Sequence, residues 1–201
     1  MDLWQYEREA LAEGYTLVCG CDEAGAGPLA GPVYAAAVIL PMGADIPGLN
    51  DSKKLAEKKR EALFPIIQEI AQYWSVASVS AKEIDETDIL SARMKAMQLA
   101  MDGLPQFPDF ALIDGNRDHG KTAAITVPHR CVVKGDSLSA SIAAASILAK
   151  VSRDHFMLEM AEQYPQYRFE QHKGYGTKLH YELLRTYGPS PIHRRTFLKN
   201  L

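Results

Sequence analysis

The segment TLVCGCDEAGAGPLAGPVYAAAVIL, Thr16–Leu40, decides the fold class of this chain. Its two apolar runs, Thr16–Cys21 and Val33–Leu40, have the length and composition of β-strands. The Gly- and Pro-rich stretch between them predicts a turn, so the pair resembles a hairpin. Side chains alternate between the two faces of a strand, so Gly20 and Asp22 are expected to share one face.

Helical and strand-like segments alternate along the rest of the chain. The expected helices cover Ala56–Tyr73 with a break or restart at Pro65, a short segment opened by the capping box Ser80–Glu83, about Ile89–Asp102, Ser139–Tyr164 and Thr177–Tyr187. The expected strands cover Trp74–Val79, Phe110–Ile113 and Cys131–Val133. This alternation predicts an α/β core with helices packed on a sheet that is at least partly parallel. Only the stretch after Pro165 is expected to form an appendage, because its composition is basic and aromatic-rich.

Composition and length describe a globular chain. Its 201 residues fit one domain, and 47% hydrophobic with 23% charged residues excludes a disordered, collagen-like or disulfide-rich chain. No apolar run is long enough to span a membrane, and the acidic N-terminus does not resemble a secretory signal. Three cysteines without a C-x-x-C pair argue against a zinc site, and Cys19 and Cys21 are expected to be small buried hydrophobes. The expected compartment is the reducing cytoplasm.

Charge is distributed unevenly along the chain. The net charge is −3, yet residues 168–201 carry seven Lys or Arg against two acidic residues. A second basic cluster contains Lys53, Lys54, Lys58, Lys59 and Arg60. Basic patches on an acidic chain suit a polyanionic partner such as nucleic acid, because Lys and Arg contacts to phosphates release counterions. Either patch taken alone is more often a solvated surface, but two patches on a chain with an acid-rich motif favour a polyanionic partner.

Four carboxylates stand where apolar strand-like segments meet loops. They are Asp22, Glu23, Asp114 and Asp136. If their strands are neighbours, the carboxylates converge at one edge of the sheet, where α/β proteins bind ligands. Such a cluster repels itself unless hard divalent cations such as Mg²⁺ or Mn²⁺ neutralise it. The alternative is that each residue is an ordinary turn aspartate or glutamate.

Two glycine-containing loops are candidates for substrate binding. Gly25-Ala26-Gly27 can bring backbone N–H groups close to a ligand, although its spacing is neither that of a P-loop nor that of G-x-G-x-x-G. The alternative is a tight turn that the hairpin requires. In HKGYG, the ring of Tyr175 can stack on a sugar or base, or lie half-buried against the core. His172, taken alone, is expected to be solvated.

Six motifs together resemble, in order, those of bacterial ribonuclease HII. They are DEAGAGPLAGPV (Asp22–Val33), NDSKKL (Asn50–Leu55), LIDGN (Leu112–Asn116), VVKGD (Val132–Asp136), SIAAASILAKVSRD (Ser141–Asp154) and QHKGYGT (Gln171–Thr177). The resemblance extends from about Val18 to Phe197. It implies a ribonuclease H-like α/β core, a mixed central sheet flanked by helices, over residues 1–165. A small basic helical C-terminal part, residues 166–201, is expected to pack on it.

The resemblance also implies an activity. The family hydrolyses RNA in RNA–DNA hybrids and incises duplex DNA on the 5′ side of single embedded ribonucleotides, with Mg²⁺ or Mn²⁺. By motif, its acidic tetrad falls on the four carboxylates named above, which would hold two cations. Its sugar-reading tyrosine falls on Tyr175. The implied substrate-binding residues are Gly25, Ala26, Gly27, Lys53, Lys54 and Tyr175. A cytoplasmic monomer without membrane association is expected.

The glycine loop departs from the family pattern. The family's loop usually reads Gly-Arg-Gly, whereas Ala26 occupies the central position here. An arginine grips phosphate through a charge-assisted fork that alanine cannot provide. This departure suggests one rival, a protein that binds hybrids with little or no turnover. A second rival is a nuclease of the same fold that acts on other DNA, such as a resolvase or an integrase-type enzyme.

Overall fold

Five strands form one mixed sheet in the computed structural model, which describes residues 2–50, 52, 55–116 and 124–199. The strands are β1 (Val18–Ala24), β2 (Val33–Ile39), β3 (Tyr73–Val79), β4 (Phe110–Asp114) and β5 (His129–Val132), in the spatial order β3-β2-β1-β4-β5. Strand β2 is antiparallel to β1 and β3, whereas β1, β4 and β5 are mutually parallel. The three parallel strands therefore end at the same edge of the sheet.

Helices cover both faces of this sheet. They are α1 (Gln5–Ala12), α2 (Glu57–Ile70), α3 (Ala81–Glu86), α4 (Ile89–Asp102), α5 (Ala140–Gln163), α6 (Phe169–His172) and α7 (Lys178–Tyr187). Buried residues of α4 pack with Cys19 and Cys21 on one face, and α2 and α5 pack on the other. The predicted mixed sheet with flanking helices and a helical C-terminal part is confirmed. None of the described helices combines the length and apolarity needed to cross a bilayer.

Close contact between β1 and α5 fixes the centre of the molecule. A Cβ added at Gly20 would overlap the backbone at Ser141 and Ile142, so only glycine lets the helix approach the strand so closely. The helix begins there because the side chain of Ser139 accepts a hydrogen bond from the N–H of Ile142. As predicted from alternation, Gly20 faces α5 while Cys19 and Cys21 are fully buried on the other face.

Several predicted bounds are wrong: α2 ends at Ile70, since Tyr73 begins β3, and β5 begins at His129. Two further differences concern β1 and Pro65. Strand β1 continues to Ala24, so Asp22 and Glu23 lie inside it rather than after it, because β2 pairs with the strand along this whole length. Helix α2 runs through Pro65 without a break. Proline removes one helical hydrogen bond, but Leu63 and Ile67 bury both halves of the helix against the same core cluster.

The C-terminal segment packs on α5 and on the loop that follows β1. Met157 of α5 shares a buried cluster with Leu29, Tyr167, Phe169 and Leu184. An isolated antiparallel bridge joins Ala30 to His193. The C-terminal segment therefore packs against the loop between β1 and β2, which contains Gly25–Gly27.

Candidate metal centre and substrate cleft

Three of the four predicted carboxylates converge at the edge where the parallel strands end. Asp22 lies near the end of β1, Asp114 is the last residue of β4, and Asp136 lies in the 3₁₀ turn Gly135–Ser137 that follows β5. One oxygen atom from each carboxylate lies within 4.8 Å of those of the other two. Asp22 and Asp136 are buried, and Asp114 is half-buried. The parallel register of β1, β4 and β5 produces this convergence.

Backbone N–H groups offset part of the charge of this cluster. The N–H of Glu23 donates to Oδ1 of Asp22 at 2.7 Å, and that of Asp136 faces Oδ1 of Asp114 at 3.4 Å. The turn is reached through Lys134, whose φ of 57° lies in the left-handed region. Three clustered carboxylates still repel one another strongly. Hard oxygen ligands in this arrangement fit Mg²⁺ or Mn²⁺, and Asp22, Asp114 and Asp136 would be the ligands.

Glu23, the fourth predicted carboxylate, lies apart from this cluster. Its Oε1 is 2.7 Å from Nη2 of Arg93 on α4. Alternation along β1 explains the separation, because neighbouring residues face opposite sides of the sheet and α4 packs on the side opposite α5.

Two fully buried arginines bind carbonyl groups of the loop between β1 and β2, and Arg194 is the one that binds Gly25 and Ala26. Arg194 donates to the carbonyl oxygens of Gly25 at 2.6 Å, Ala26 at 2.9 Å and Gly31 at 2.9 Å. Arg153 donates to the carbonyl oxygens of Ala30, Pro32 and Lys173. Burial, with the charge of Arg153 second, lowers the pKa of Arg194. Because Arg194 is buried, it cannot belong to the exposed basic stretch that was expected to hold phosphates.

Gly25 accommodates one of these guanidinium groups. Its φ is +93°, and an added Cβ would overlap Nε of Arg153. Gly25 is therefore required for both backbone conformation and space. At Gly27, by contrast, no described atom lies within 4 Å of an added Cβ.

The glycine loop forms one wall of a cleft of about 240 Å³. The cleft is also lined by Glu23, Ser52, Lys150 and Tyr175. Tyr175 is 42% exposed, so its ring is open to a ligand, and its centroid lies 5.7 Å from Cζ of Arg153. Nζ of Lys150 contacts both carboxylate oxygens of Asp154, at 2.5 and 2.7 Å. Burial lowers the pKa of Lys150, and the contact with Asp154 opposes that effect.

Three histidines, the histidine cluster of His172, His180 and His193, support Tyr175 from within the protein. Nδ1 of His180 donates to the carbonyl oxygen of Tyr175 at 2.9 Å, and its Nε2 lies 2.9 Å from Nε2 of His193. Nδ1 of His193 accepts from the N–H of Ser190. These contacts require neutral rings, and burial lowers the pKa of His180 and of His193 to about 4.

The expectation that His172 is solvated is wrong. Its ring stacks on that of His180 with centroids 4.2 Å apart, and its Nε2 donates to the carbonyl oxygen of Tyr167. The packing of α6 against α7 buries it. Lys53 and Lys54, predicted to bind phosphate, lie outside the described residues.

The sequence patterns did not identify three residues of this region, namely Arg93, Arg153 and Arg194. Arg153 had a usable signal, since it lies four residues after Ala149 and four before Met157, on the stripe of α5 that is otherwise apolar. Arg93 and Arg194 had no such signal, because their contacts join segments that are distant in sequence.

Comparisons with known proteins agree on one family. The family model described as ribonuclease HII matches residues 19–200. The ribonuclease HII of Geobacillus sp. (strain WCH70) is 53% identical over 196 residues, which cover 98% of this chain and 69% of that protein. The ribonuclease HII of Endomicrobium trichonymphae is 54% identical over 196 residues, covering 98% and 92%. The crystal structure of the ribonuclease H2 from Pyrococcus horikoshii OT3 superposes with a TM-score of 0.75 at 28% identity, covering 90% of this chain and 93% of that one.

Proposed function

The chain belongs to the ribonuclease HII family and is thus a ribonuclease H, an endonuclease of RNA–DNA hybrids; we propose that it also incises duplex DNA on the 5′ side of a single embedded ribonucleotide. The products would be a 5′-phosphate on the ribonucleotide and a free 3′-hydroxyl upstream. The observation that carries this proposal is the convergence of Asp22, Asp114 and Asp136, together with the cleft that Glu23 and Tyr175 line.

Enzymes of this family depend on divalent metal ions, and we assign two, Mg²⁺ or Mn²⁺, to Asp22, Glu23, Asp114 and Asp136. The chemistry that such ions supply when bound is a lowered pKa for the attacking water and stabilisation of the leaving oxygen. Asp22, Asp114 and Asp136 would hold the ions, and their carboxylate oxygens could accept hydrogen bonds from that water. Glu23 follows Asp22 in β1 and lines the cleft, and we propose that its carboxylate moves to join the other three ligands when the ions bind.

Residues of the cleft would select the ribonucleotide. The ring of Tyr175 stacks on the sugar, and backbone groups of Gly25–Gly27 test for the ribose 2′-hydroxyl, which distinguishes RNA from DNA. Ala26 provides no guanidinium for the adjacent phosphate. Among the described residues, Lys150 is the cation that lines this cleft, and Asp154 holds its ammonium group. We also propose that Lys53 and Lys54 contact backbone phosphates of the substrate.

The organisation proposed for the chain is a catalytic core over residues 1–165 and a C-terminal basic segment over 166–201 that packs on it. We propose a cytoplasmic monomer. The segment's support of the glycine loop through Arg194 makes it part of the substrate-binding unit.

A cleavage assay on duplex DNA with one embedded ribonucleotide tests the proposal. We expect a single incision on the 5′ side of the ribonucleotide with Mg²⁺ or Mn²⁺, and none with EDTA. An all-DNA duplex of the same sequence is the matched control. Cutting of that control would favour a nuclease of the resolvase or integrase type, and binding without cutting would favour the hybrid-binding alternative.

A further inference from the structure

The ion pair between Arg93 and Glu23 joins α4 to the strand that carries the metal ligands. Both side chains are largely buried, with 25% of Arg93 and 12% of Glu23 exposed. Asp22 lies next to Glu23 in β1 and points into the aspartate cluster, whereas the carboxylate of Glu23 is outside it. The fourth carboxylate is thus held on the side of α4.

The pairing is not optimal for an arginine. Nη2 lies 2.7 Å from Oε1 of Glu23, and Nε of Arg93 is buried without a hydrogen-bond partner among the described residues. An arginine engaged through its full fork would contribute two parallel hydrogen bonds. Because Nε is not engaged, the fork is incomplete and the pair is easier to exchange. A divalent cation is a stronger partner for a carboxylate than such a guanidinium.

We propose that Arg93 is a positioning residue that competes with the divalent cations for Glu23 and thereby weakens their binding. Without cations, the ion pair keeps Glu23 out of the aspartate cluster and limits repulsion among four carboxylates. When cations bind, Glu23 leaves Arg93 and becomes a ligand. This inference rests on the proposed metal centre and adds a residue that sets its affinity.

Calorimetric titration of the protein with Mn²⁺, without substrate, measures this competition directly. Arg93→Gln removes the charge and keeps much of the side-chain volume, and we expect Mn²⁺ to bind roughly three- to tenfold more tightly. Lys95→Gln is the matched control, because it removes one positive charge from the same helix but breaks only an exposed pair with Glu83. We expect its effect on Mn²⁺ affinity to be less than about twofold.

A double-mutant cycle separates competition for Glu23 from a general electrostatic effect. In a Glu23→Gln background, Arg93→Gln should no longer tighten Mn²⁺ binding. Tightening that persists there would overturn the proposal, as would unchanged or weaker binding in Arg93→Gln alone. If that variant fails to fold, Arg93→Lys replaces it, with a smaller tightening and the same dependence on Glu23 expected.

The titration also separates this inference from the proposed function. Normal Mn²⁺ binding with no effect of Arg93 overturns the competition alone and leaves the cleavage assay unaffected. If the unaltered protein binds no Mn²⁺, the metal centre itself is wrong and this inference falls with it.

Discussion

Asp22 and Asp114 place like charges close together. Removing one of these charges should therefore lower activity and raise stability. Asp22→Asn and Asp114→Asn keep the side-chain shape but remove a ligand charge. We expect cleavage of an RNA–DNA hybrid to fall by orders of magnitude, while hybrid binding persists or tightens. Without metal, the melting temperature should rise slightly because repulsion is relieved. Near-normal turnover in either variant would contradict the assignment of metal ligands.

The substitution Ala26→Arg tests whether a phosphate contact is missing from the cleft. A hydrogen bond to a charged group contributes about 1.5–3 kcal/mol, so substrate affinity should improve by roughly one to two decades at low salt. The gain should shrink as salt rises, because salt competes with phosphate contacts. KM for a duplex with one ribonucleotide, measured at two salt concentrations, checks this.

Lys150 provides the alternative outcome for that substitution. It lines the same cleft, although Asp154 holds its ammonium group. If Lys150 already contacts the phosphate, Ala26→Arg adds a like charge and KM stays unchanged or rises. Lys150→Gln should then weaken binding in the unaltered protein and have less effect in the Ala26→Arg variant.

At the residue scale, the sequence predicted the convergence of three of the carboxylates but not the position of the fourth. Alternation along β1 placed Asp22 correctly because it depends only on the strand geometry of neighbouring residues. The separation of Glu23 from the aspartates depends on where α4 packs, and no local pattern encodes its contact with Arg93. The histidine cluster was missed for the same reason, since its partners come from α6, α7 and the loop that contains His193.

At the scale of an element, Gly25 and Gly27 lie in the same loop, so substituting each by alanine gives a controlled comparison. Gly25→Ala meets both a positive φ and the guanidinium of Arg153, which three backbone hydrogen bonds hold in place. We expect the melting temperature to fall by roughly 5 °C or more, with a parallel loss of cleavage.

Gly27→Ala is the control for that prediction. Its added Cβ meets no described atom within 4 Å, so the melting temperature should change by less than about 2 °C. Thermal unfolding of both variants checks the contrast. Equal destabilisation would show that the loop is sensitive to any side chain and that Arg153 has no special part.

Elements with clear end signals were predicted best. Helix α4 spans Ile89–Asp102 as expected, because the side chain of Asp88 caps its start and Gly103 follows its end. The predicted end of β1 was wrong because an acidic pair normally signals a loop, whereas pairing with β2 keeps Glu23 in the strand. The break at Pro65 was wrong because tertiary packing outweighs one missing hydrogen bond.

At the scale of the whole molecule, the histidine cluster makes stability depend on pH. The pKa of His180 and of His193 is about 4 in the folded protein, below the value of about 6.5 expected when unfolded. The unfolded chain therefore binds more protons between these values. The stabilisation is fully present above about pH 6.5 and is lost as pH falls towards 4.

Urea unfolding at pH 7, 6 and 5 measures this dependence. Most carboxylates stay ionised over this range, so the histidines dominate the change. We expect a loss on the order of 2 kcal/mol for each of the two histidines by pH 5. His155→Gln is a control, because His155 is exposed and pairs with Glu61. Its removal should leave most of the dependence of the free energy of unfolding on pH. A free energy of unfolding that stays constant from pH 7 to pH 5 would contradict neutral rings in the folded state.

The support of the glycine loop by Arg194 also has a consequence for the order of events during translation. The ribosome makes residues 25–31 long before it makes residue 194, and at typical elongation rates the interval is roughly 10–30 s. Until Arg194 leaves the exit tunnel, the carbonyl groups of Gly25, Ala26 and Gly31 lack the guanidinium that holds them in the folded protein. The nascent chain can form its sheet early, yet the loop that contains Gly25–Gly27 is completed only after residue 194 has been made. The C-terminal segment must therefore be made before the loop can reach the conformation that it has in the folded protein.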